Sequence, residues 1–326
     1  MGKATVKDDS AITEAVQVEA APTNGAAAAS NGSENGKASA KTRPWTKYLR
    51  KFRLFSGEQP KVSPHAVVDE KAEIAEDVEI GPFCVIGPDV KIASGCRLLN
   101  NVTVLGNTTI GKDNIFFPNA VIGAPPQDLK YKGAPTLLEI GDGNNFREAV
   151  TVHTGTEKGG GITRIGNFNL LMINVHLGHD VQLGSRCVIA NNVMIAGHVV
   201  IEDNVNMMGL VGIHHYVTVG RFAYLGGAAR IHHDVPPFVK VDGDDKVRQL
   251  NTLGLRRAGG FSEEDITALR DAVRKLWFGE KKNFAKTLAE FDLMNGINPH
   301  VKQMVEFLQR RDKGKHGRYL EGLRQA

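Results

Sequence analysis

A large apolar residue recurs at every sixth position along most of this chain, and this register restricts the folds that the chain can adopt. Its first run comprises Val62, Val68, Ile74, Ile80, Ile86, Ile92, Leu98, Val104, Ile110, Phe116 and Ile122. Its last run comprises Ile165, Leu171, Leu177, Leu183, Ile189, Ile195, Ile201, Met207, Ile213, Val219, Leu225 and Ile231. A period of six fits neither the 3.6-residue turn of an α-helix nor the two-residue alternation of a half-buried strand. It suits short strands joined by tight turns, so the sequence predicts an all-β parallel β-helix.

Two loops interrupt this register, at 123–139 and at 154–163. Between the loops the register resumes at Ile140, Phe146 and Val152. The repeat ends near Pro236, so we expect the β-helix to occupy residues 61–240.

The remainder of the chain has the pattern of helices. In FSEEDITALRDAVRKLW, Ser262 is placed as an N-cap, and apolar residues follow at helical spacing. Asn298 and Pro299 begin a further helix in the same way. We therefore expect residues 241–326 to form an α-helical C-terminal domain.

The first sixty residues lack the register. Residues 1–40 are rich in Ala, Ser, Gly and Asn, and we expect them to form a disordered low-complexity tail. Residues 41–60 read as a basic amphipathic connector, because KTRPWTKYLRKFRLF mixes basic and aromatic residues. Segment 41–55 could contact an anionic membrane peripherally, and a strap on the protein's own surface is an equal alternative.

Composition narrows the class of protein. The 326 residues are 41% hydrophobic with a formal charge of +4, and no apolar run is long enough to span a membrane. No secretory signal precedes the repeat, so we expect a cytoplasmic protein. Cys84, Cys96 and Cys187 are far apart and predict neither a disulfide framework nor a zinc site. We expect no nucleic-acid partner.

Histidines concentrate between residues 176 and 215. A coil of three hexads contains eighteen residues, so positions eighteen apart should stack on neighbouring coils. His179 then lies beneath Gly197, and Gly197 beneath His215, while Asp180 lies beneath His198. The sequence therefore predicts that these imidazoles gather along one strip of the prism.

This strip could support acyl transfer. An imidazole can take a proton from a sugar hydroxyl, and an adjacent carboxylate can hold the imidazole in one tautomer. A backbone N–H can stabilise the oxyanion. His179, Asp180 and Gly197 supply these three groups. Because neither Ser nor Cys lies in a nucleophile-elbow context, we expect direct attack by the acceptor.

Several motifs carry a specific resemblance, among them IGAPPQDLKYKG, REAVTVHTGTEKGGGITRIGNFNLLMINVHLGHD, ANNVMIAGH and LNTLGLRRAG. From Val62 onward the chain resembles the UDP-N-acetylglucosamine 3-O-acyltransferases, which catalyse the first step of lipid A biosynthesis. The resemblance implies a left-handed β-helix and a homotrimer with sites between subunits. It also implies an acyl carrier protein as donor, whose 4'-phosphopantetheine arm carries the acyl chain, with no bound cofactor and no metal.

The resemblance also implies roles for individual residues. His179 would be the general base, Asp180 its orienting carboxylate, and Gly197 the donor to the thioester oxygen. Gly227 would occupy the position of the acyl-chain ruler, where glycine accompanies longer chains. The residues implied in substrate binding are Gln127, Asp128, Lys130, His176, His198, His214, His215, Asn251, Arg256 and Arg257.

The sequence departs from the family at three positions among or near these residues. His215 stands where the best-known members carry Gln, Thr154 where they carry Arg, and Leu253 where they carry an acidic residue. These departures concern nucleotide binding and the identity of the acceptor, which could carry a 3-hydroxyl or a 3-amino group.

Three alternatives remain open from the sequence. One is the related N-acyltransferase, which usually has a folded uridine-binding domain where this chain has its low-complexity tail. Another is a γ-type carbonic anhydrase, with zinc bound by residues such as His176, His179 and His198. The third is a catalytically silent scaffold, since a fold does not determine a function.

Overall fold

The computed structural model describes residues 61–279, 284–292 and 296–324. The expected tail at 1–40 and the connector at 41–60, with its membrane contact through 41–55, lie outside these residues. In the part that is described, no helix is both long enough and apolar enough to cross a bilayer.

Short parallel strands stack into three sheets, which form the three faces of a prism. The first face contains Val67–Val68, Val85–Ile86, Thr103–Val104, Val121–Ala124, Thr151–His153, His176–Leu177, Met194–Ile195, Gly212–Ile213 and Arg230–Ile231. The second contains Glu73–Ile74, Val90–Ile92, Asn107–Ile110, Leu137–Ile140, Ile162–Ile165, Gln182–Leu183, Val200–Ile201 and Thr218–Val219. The third contains Glu79–Ile80, Arg97–Leu98, Ile115–Phe116, Asn145–Phe146, Leu170–Leu171, Val188–Ile189, Asn206–Met207, Tyr224–Leu225, Val239–Asp242 and Lys246–Leu250.

The hexad residues form the core of this prism. Leu177 and Ile195 are fully buried, and Phe116 stacks on Phe146 with ring centroids 4.7 Å apart. Neighbouring coils pair in the expected eighteen-residue register, with His176 opposite Met194. The prediction of an all-β left-handed parallel β-helix followed by helices is confirmed.

One corner of the prism places three side chains in a column. Asp180, His198 and Tyr216 occupy equivalent positions on successive coils, and each has a left-handed backbone with φ near 60°. Asp and His tolerate this conformation better than most residues, because short polar side chains can bond locally. The His198 N–H donates to the carbonyl of His179 at 2.9 Å, which locks adjacent coils together at this corner.

The β-structure continues beyond the boundary that we expected at residue 240. Strands Val239–Asp242 and Lys246–Leu250 pair as an antiparallel hairpin at the end of the third face. Gly243, with φ of 57°, lies in the turn between them. The helical domain begins only after this hairpin.

Both expected loops are shorter than their sequence bounds. Strands reach Ala124 and restart at Leu137, so the first loop covers only the residues between them. Within 154–163, Glu157–Gly159 forms a 3₁₀ turn, and a strand begins at Ile162.

The C-terminal domain packs against the hairpin. Ser262 caps the second helix through a reciprocal pair of bonds with Asp265, and Asn298 caps the fourth, as the sequence predicts. Buried Ile266, Leu269 and similar residues join this domain to the core of the prism. Its helices are α1 (Thr252–Ala258), α2 (Glu263–Phe278), α3 (Phe284–Asp292), α4 (Pro299–Asp312) and α5 (Tyr319–Leu323).

Candidate active site

A buried carboxylate lies at the centre of the histidine strip. Asp180 is 4% exposed and accepts two hydrogen bonds from Thr156, from the backbone N–H at 2.8 Å and from the hydroxyl at 2.6 Å. Its own N–H donates to the hydroxyl of Thr163 at 2.8 Å. The second loop therefore fixes the carboxylate in place. Neither threonine was identified from the sequence, because their roles depend on how this loop folds back.

His179 is held by this carboxylate. Its Nδ1 lies 2.8 Å from Oδ2 of Asp180, so Nδ1 carries the hydrogen and Nε2 is left as an acceptor. The ring lies over Gly197, where an added Cβ would be 2.6 Å from Nε2. A side chain at 197 would collide with the imidazole, so glycine permits this close approach.

His198 completes the cluster. Its Nδ1 lies 3.6 Å from Oδ2 of Asp180, and its ring meets that of His179 edge-on at 4.9 Å. On its other side it stacks on Tyr216, with ring centroids 4.4 Å apart and an interplanar angle of 4°. Burial lowers the pKa of His198, and the charge of Asp180 opposes this shift. Tyr216 was not identified from the sequence, although it lies one coil above His198.

His176 extends the strip toward the preceding coil. A hydrogen bond of 2.8 Å joins its Nδ1 to the hydroxyl of Thr151. Its ring meets the buried ring of His153 edge-on, with centroids 5.1 Å apart. Burial lowers the pKa of His176, and burial lowers that of His153 further, to about 4. His153 was not identified from the sequence, because the second loop shifts it out of the eighteen-residue register.

His214 and His215 lie at the other end of the strip. Their ring centroids are 3.8 Å apart, and His215 faces Glu321 of α5 with Nε2 and Oε2 separated by 3.9 Å. Burial, and then the neighbouring His214, lowers the pKa of His215. His214 also lies 6.1 Å from the ring of His232, as the predicted stacking requires.

The first loop brings one predicted residue toward the strip. The charge of Asp128 acts on the pKa of both His198 and Tyr216, which places its carboxylate within electrostatic range of them. Within the loop, Asp128 accepts a hydrogen bond from the N–H of Lys130 at 2.9 Å. Gln127 and Lys130 are exposed.

The remaining predicted residues lie elsewhere on the chain. A groove of about 600 Å³ runs along the third face, and Asn251, Leu253 and Arg257 are among its lining residues. Asn251 is 3% exposed and caps α1, and its amide also donates to the carbonyl of Phe222 at 2.9 Å. This side chain therefore has a structural role within the fold.

Arg256 and Gly227 are also separate from the histidine strip. Both Nε and Nη2 of Arg256 bond to the exposed carboxylate of Glu263, at 2.9 and 2.7 Å. Gly227 lies at the corner between the third and first faces, where an added Cβ would make only ordinary contacts. Thr154, a departure from the family, is buried and bonds to the hydroxyl of Thr136 at 3.1 Å.

One group of side chains in the described residues has the spacing of metal ligands. His179, Asp180 and His198 have ligand atoms within 4.8 Å of one another. This donor set is two imidazoles and a carboxylate, whereas a carbonic anhydrase site would need three histidines. The Nδ1 of the third candidate, His176, is bonded to Thr151. The carboxylate oxygen Oδ2 already accepts from Thr156 and His179, so the group fits a hydrogen-bonded dyad better.

Models of known families match three parts of the chain. Residues 234–316 match "Udp N-acetylglucosamine O-acyltransferase; Domain 2". Residues 162–197 match the bacterial transferase hexapeptide, and residues 62–127 match the GMPPB C-terminal domain. The first match spans the end of the prism and helices α1 to α4, and the other two lie within the prism.

Individual relatives agree with these matches. The acyl-(acyl-carrier-protein)-UDP-N-acetylglucosamine O-acyltransferase of Anaeromyxobacter sp. strain Fw109-5 is 44% identical over 207 residues, covering 63% of this chain and 80% of that protein. The enzyme of the same name from Synechocystis sp. is 40% identical over 211 residues, covering 64% and 75%. The structure of LpxA from Acinetobacter baumannii is 37% identical with a TM-score of 0.73, covering 77% of this chain and 97% of that one. The UDP-N-acetylglucosamine acyltransferase LpxA of Bacteroides fragilis is 36% identical with a TM-score of 0.72, covering 76% and 96%. This chain therefore belongs to the family of acyl-(acyl-carrier-protein)-UDP-N-acetylglucosamine O-acyltransferases.

Proposed function

We propose that this protein transfers a 3-hydroxyacyl chain from acyl carrier protein to the 3-hydroxyl of UDP-N-acetylglucosamine, the first step of lipid A biosynthesis. One observation carries the proposal: the buried carboxylate of Asp180 holds Nδ1 of His179, while Nε2 is turned toward Gly197. This is the arrangement of a general base. The names of the relatives supply the substrates, and the dyad supplies the chemistry.

The reaction needs one proton transfer and one acyl transfer. Nε2 of His179 accepts the proton of the sugar 3-hydroxyl as its oxygen attacks the thioester carbonyl carbon. The resulting imidazolium is stabilised by Asp180, which remains ionised. When the tetrahedral intermediate collapses, the carbon–sulfur bond breaks and the proton passes from His179 to the leaving thiolate. The products are the O-acylated sugar nucleotide and the free thiol of the carrier arm.

Gly197 provides the group that would stabilise the oxyanion. Its N–H forms no hydrogen bond with any residue that the structure describes. An N–H that is already oriented beside the base can meet developing negative charge without reorganisation, and such donors are worth about 10²- to 10³-fold in kcat.

The active enzyme in this proposal is a homotrimer. The histidine strip lies at the edge between the first and second faces, whereas the groove lined by Asn251 and Arg257 lies on the opposite third face. One prism cannot bring these two surfaces together. A cyclic assembly can place the edge of one copy beside the third face of the next. Met194, whose side chain is exposed, pairs with His176 on the first face, beside the strip, and would be covered by this contact.

The donor brings its own reactive group. The 4'-phosphopantetheine arm belongs to acyl carrier protein, so the proposed reaction needs no resident cofactor and no metal. The acidic carrier protein would be met by basic residues, with Arg256, Arg257 and the basic C-terminal cluster as candidates. Arg257 lines the groove, while Arg256 would have to exchange its contact with Glu263 for one with the carrier.

Turnover with defined substrates tests the proposed function. The purified protein is incubated with 3-hydroxyacyl carrier proteins of several chain lengths, and products are read by mass spectrometry. We expect an O-acyl product with UDP-N-acetylglucosamine, with a preferred chain length that changes in Gly227→Leu. Product only with the 3-amino analogue would correct the acceptor. Product with neither acceptor, in a protein that contains stoichiometric zinc, would refute the acyltransferase and favour the anhydrase.

A further inference from the structure

The last residues that the structure describes fold back onto the histidine strip. We call residues 315–324 the C-terminal strap. Its Tyr319 N–H donates to the carboxylate of Asp234 at 2.8 Å, and the Asp234 N–H donates to the carbonyl of Gly317 at 2.9 Å. Arg318, only 8% exposed, donates from Nη1 to the carbonyl of His232 at 2.7 Å. These hydrogen bonds, which are partly buried, fix the strap to the prism at a defined place.

The strap places a charged cluster beside His215. Glu321 lies between Arg318 and Arg324, at 3.5 and 3.7 Å, and its Oε2 is 3.9 Å from Nε2 of His215. The side chain of Glu321 is 11% exposed, whereas those of His215 and Arg324 are 46% and 43% exposed, so solvent reaches one partner in each of these contacts. The carboxylate lies within ion-pair distance of both His215 and Arg324.

A stack of three planar groups then leads from the strap to the catalytic dyad. The guanidinium of Arg324 lies over the Tyr216 ring, 5.5 Å from its centroid. The Tyr216 ring also stacks parallel to the ring of His198. His198 in turn meets the ring of His179 and faces Asp180. Motion of Tyr216 would free the His198 ring to turn away from the dyad.

We propose that the C-terminal strap is a positioning element of the active site, with Arg324 and Glu321 holding Tyr216 and His215, and Tyr216 holding the ring of His198. Tyr216, Glu321 and Arg324 act through other residues and are therefore positioning residues. This inference rests on the proposed function for its effect on turnover. The shielding of His198 by Tyr216 is a geometric claim, and it does not depend on the identity of the substrate.

Four variants test the stack. Tyr216→Leu removes the ring, Tyr216→Phe keeps it, and Arg324→Ala removes the cation. Lys275→Ala is the matched control, because it removes a cation from above Phe291 at 5.7 Å in the helical domain. Two readouts are compared: steady-state kinetics with UDP-N-acetylglucosamine, and the rate at which diethylpyrocarbonate modifies His198, followed by peptide mass spectrometry.

We expect kcat to fall about fivefold to tenfold in Tyr216→Leu, with KM for the acceptor changed less than about twofold. Tyr216→Phe should restore kcat, and Arg324→Ala should lower it about twofold to fivefold. His198 should be modified faster in Tyr216→Leu and Arg324→Ala, and at the wild-type rate in Tyr216→Phe and Lys275→Ala.

The proposal is overturned if His198 is modified at the same rate in all variants, or if Tyr216→Phe is as impaired as Tyr216→Leu. A wild-type enzyme that makes no product would refute the proposed function alone, because the modification rates would still decide the role of the strap.

Discussion

Adding one methyl group at Gly197 should disable the base without damaging the fold. The alanine Cβ would lie 2.5 Å from Cε1 and 2.6 Å from Nε2 of His179. Ordinary contacts begin near 3.4 Å, so the ring must move by roughly 1 Å. A displacement of this size at a catalytic group can cost about 10²-fold in rate. The backbone of residue 197 does not have a positive φ, so Gly197→Ala introduces no backbone strain.

Comparison with a second glycine separates this effect from a general loss of stability. Gly87 lies on the same edge of the prism, and a Cβ there would make only ordinary contacts, the nearest at 3.6 Å. We expect Gly197→Ala to lower kcat about 10²-fold and Gly87→Ala to leave it unchanged, with similar thermal midpoints for both. Wild-type kcat in Gly197→Ala would refute the close approach of His179 to this residue.

Three further perturbations have defined outcomes. Asp180→Asn should lower kcat at least about 10²-fold, because an amide cannot accept from all three donors; unchanged kcat would remove Asp180 from the orienting role. Phe116→Ala should lower the free energy of unfolding by about 3–5 kcal/mol in a denaturant titration, and a loss below about 1 kcal/mol would contradict the stacked core. His153→Phe tests a pH effect. Because burial lowers the folded-state pKa of His153 to about 4, its stabilising contribution is full above about pH 6.5 and is lost as the pH falls toward 4. Between these pH values, wild type should lose about 2 kcal/mol more than His153→Phe, and equal slopes would refute this explanation.

The fold could be predicted because every hexad has the same local structure. One inward residue such as Leu177 or Ile195 per strand, followed by a tight corner, determines the coil, and an eighteen-residue coil determines which residues stack. The eighteen-residue coil alone was enough to predict that Asp180 stacks beneath His198. The hairpin that ends at Leu250 did not follow from it, because its strands lack the period of six.

The parts of the site that the sequence did not reveal depend on the loops and on contacts distant in the chain. The second loop shifts the register, so the rule that positions eighteen residues apart stack did not predict that His153 lies beside His176. Thr156 reaches Asp180 only because this loop folds over the corner. The contact of Glu321 with His215 joins residues that are distant in the chain, and no signal in the sequence indicated where α5 docks.

Removal of the base tests the central claim most directly. Wild type and His179→Ala are compared for transfer of a 3-hydroxyacyl chain to UDP-N-acetylglucosamine, with oligomeric state and thermal midpoint measured on the same preparations. The proposed mechanism predicts that His179→Ala lowers kcat by at least about 10²-fold while assembly and stability remain those of wild type. A folded His179→Ala protein with kcat within about tenfold of wild type would contradict it.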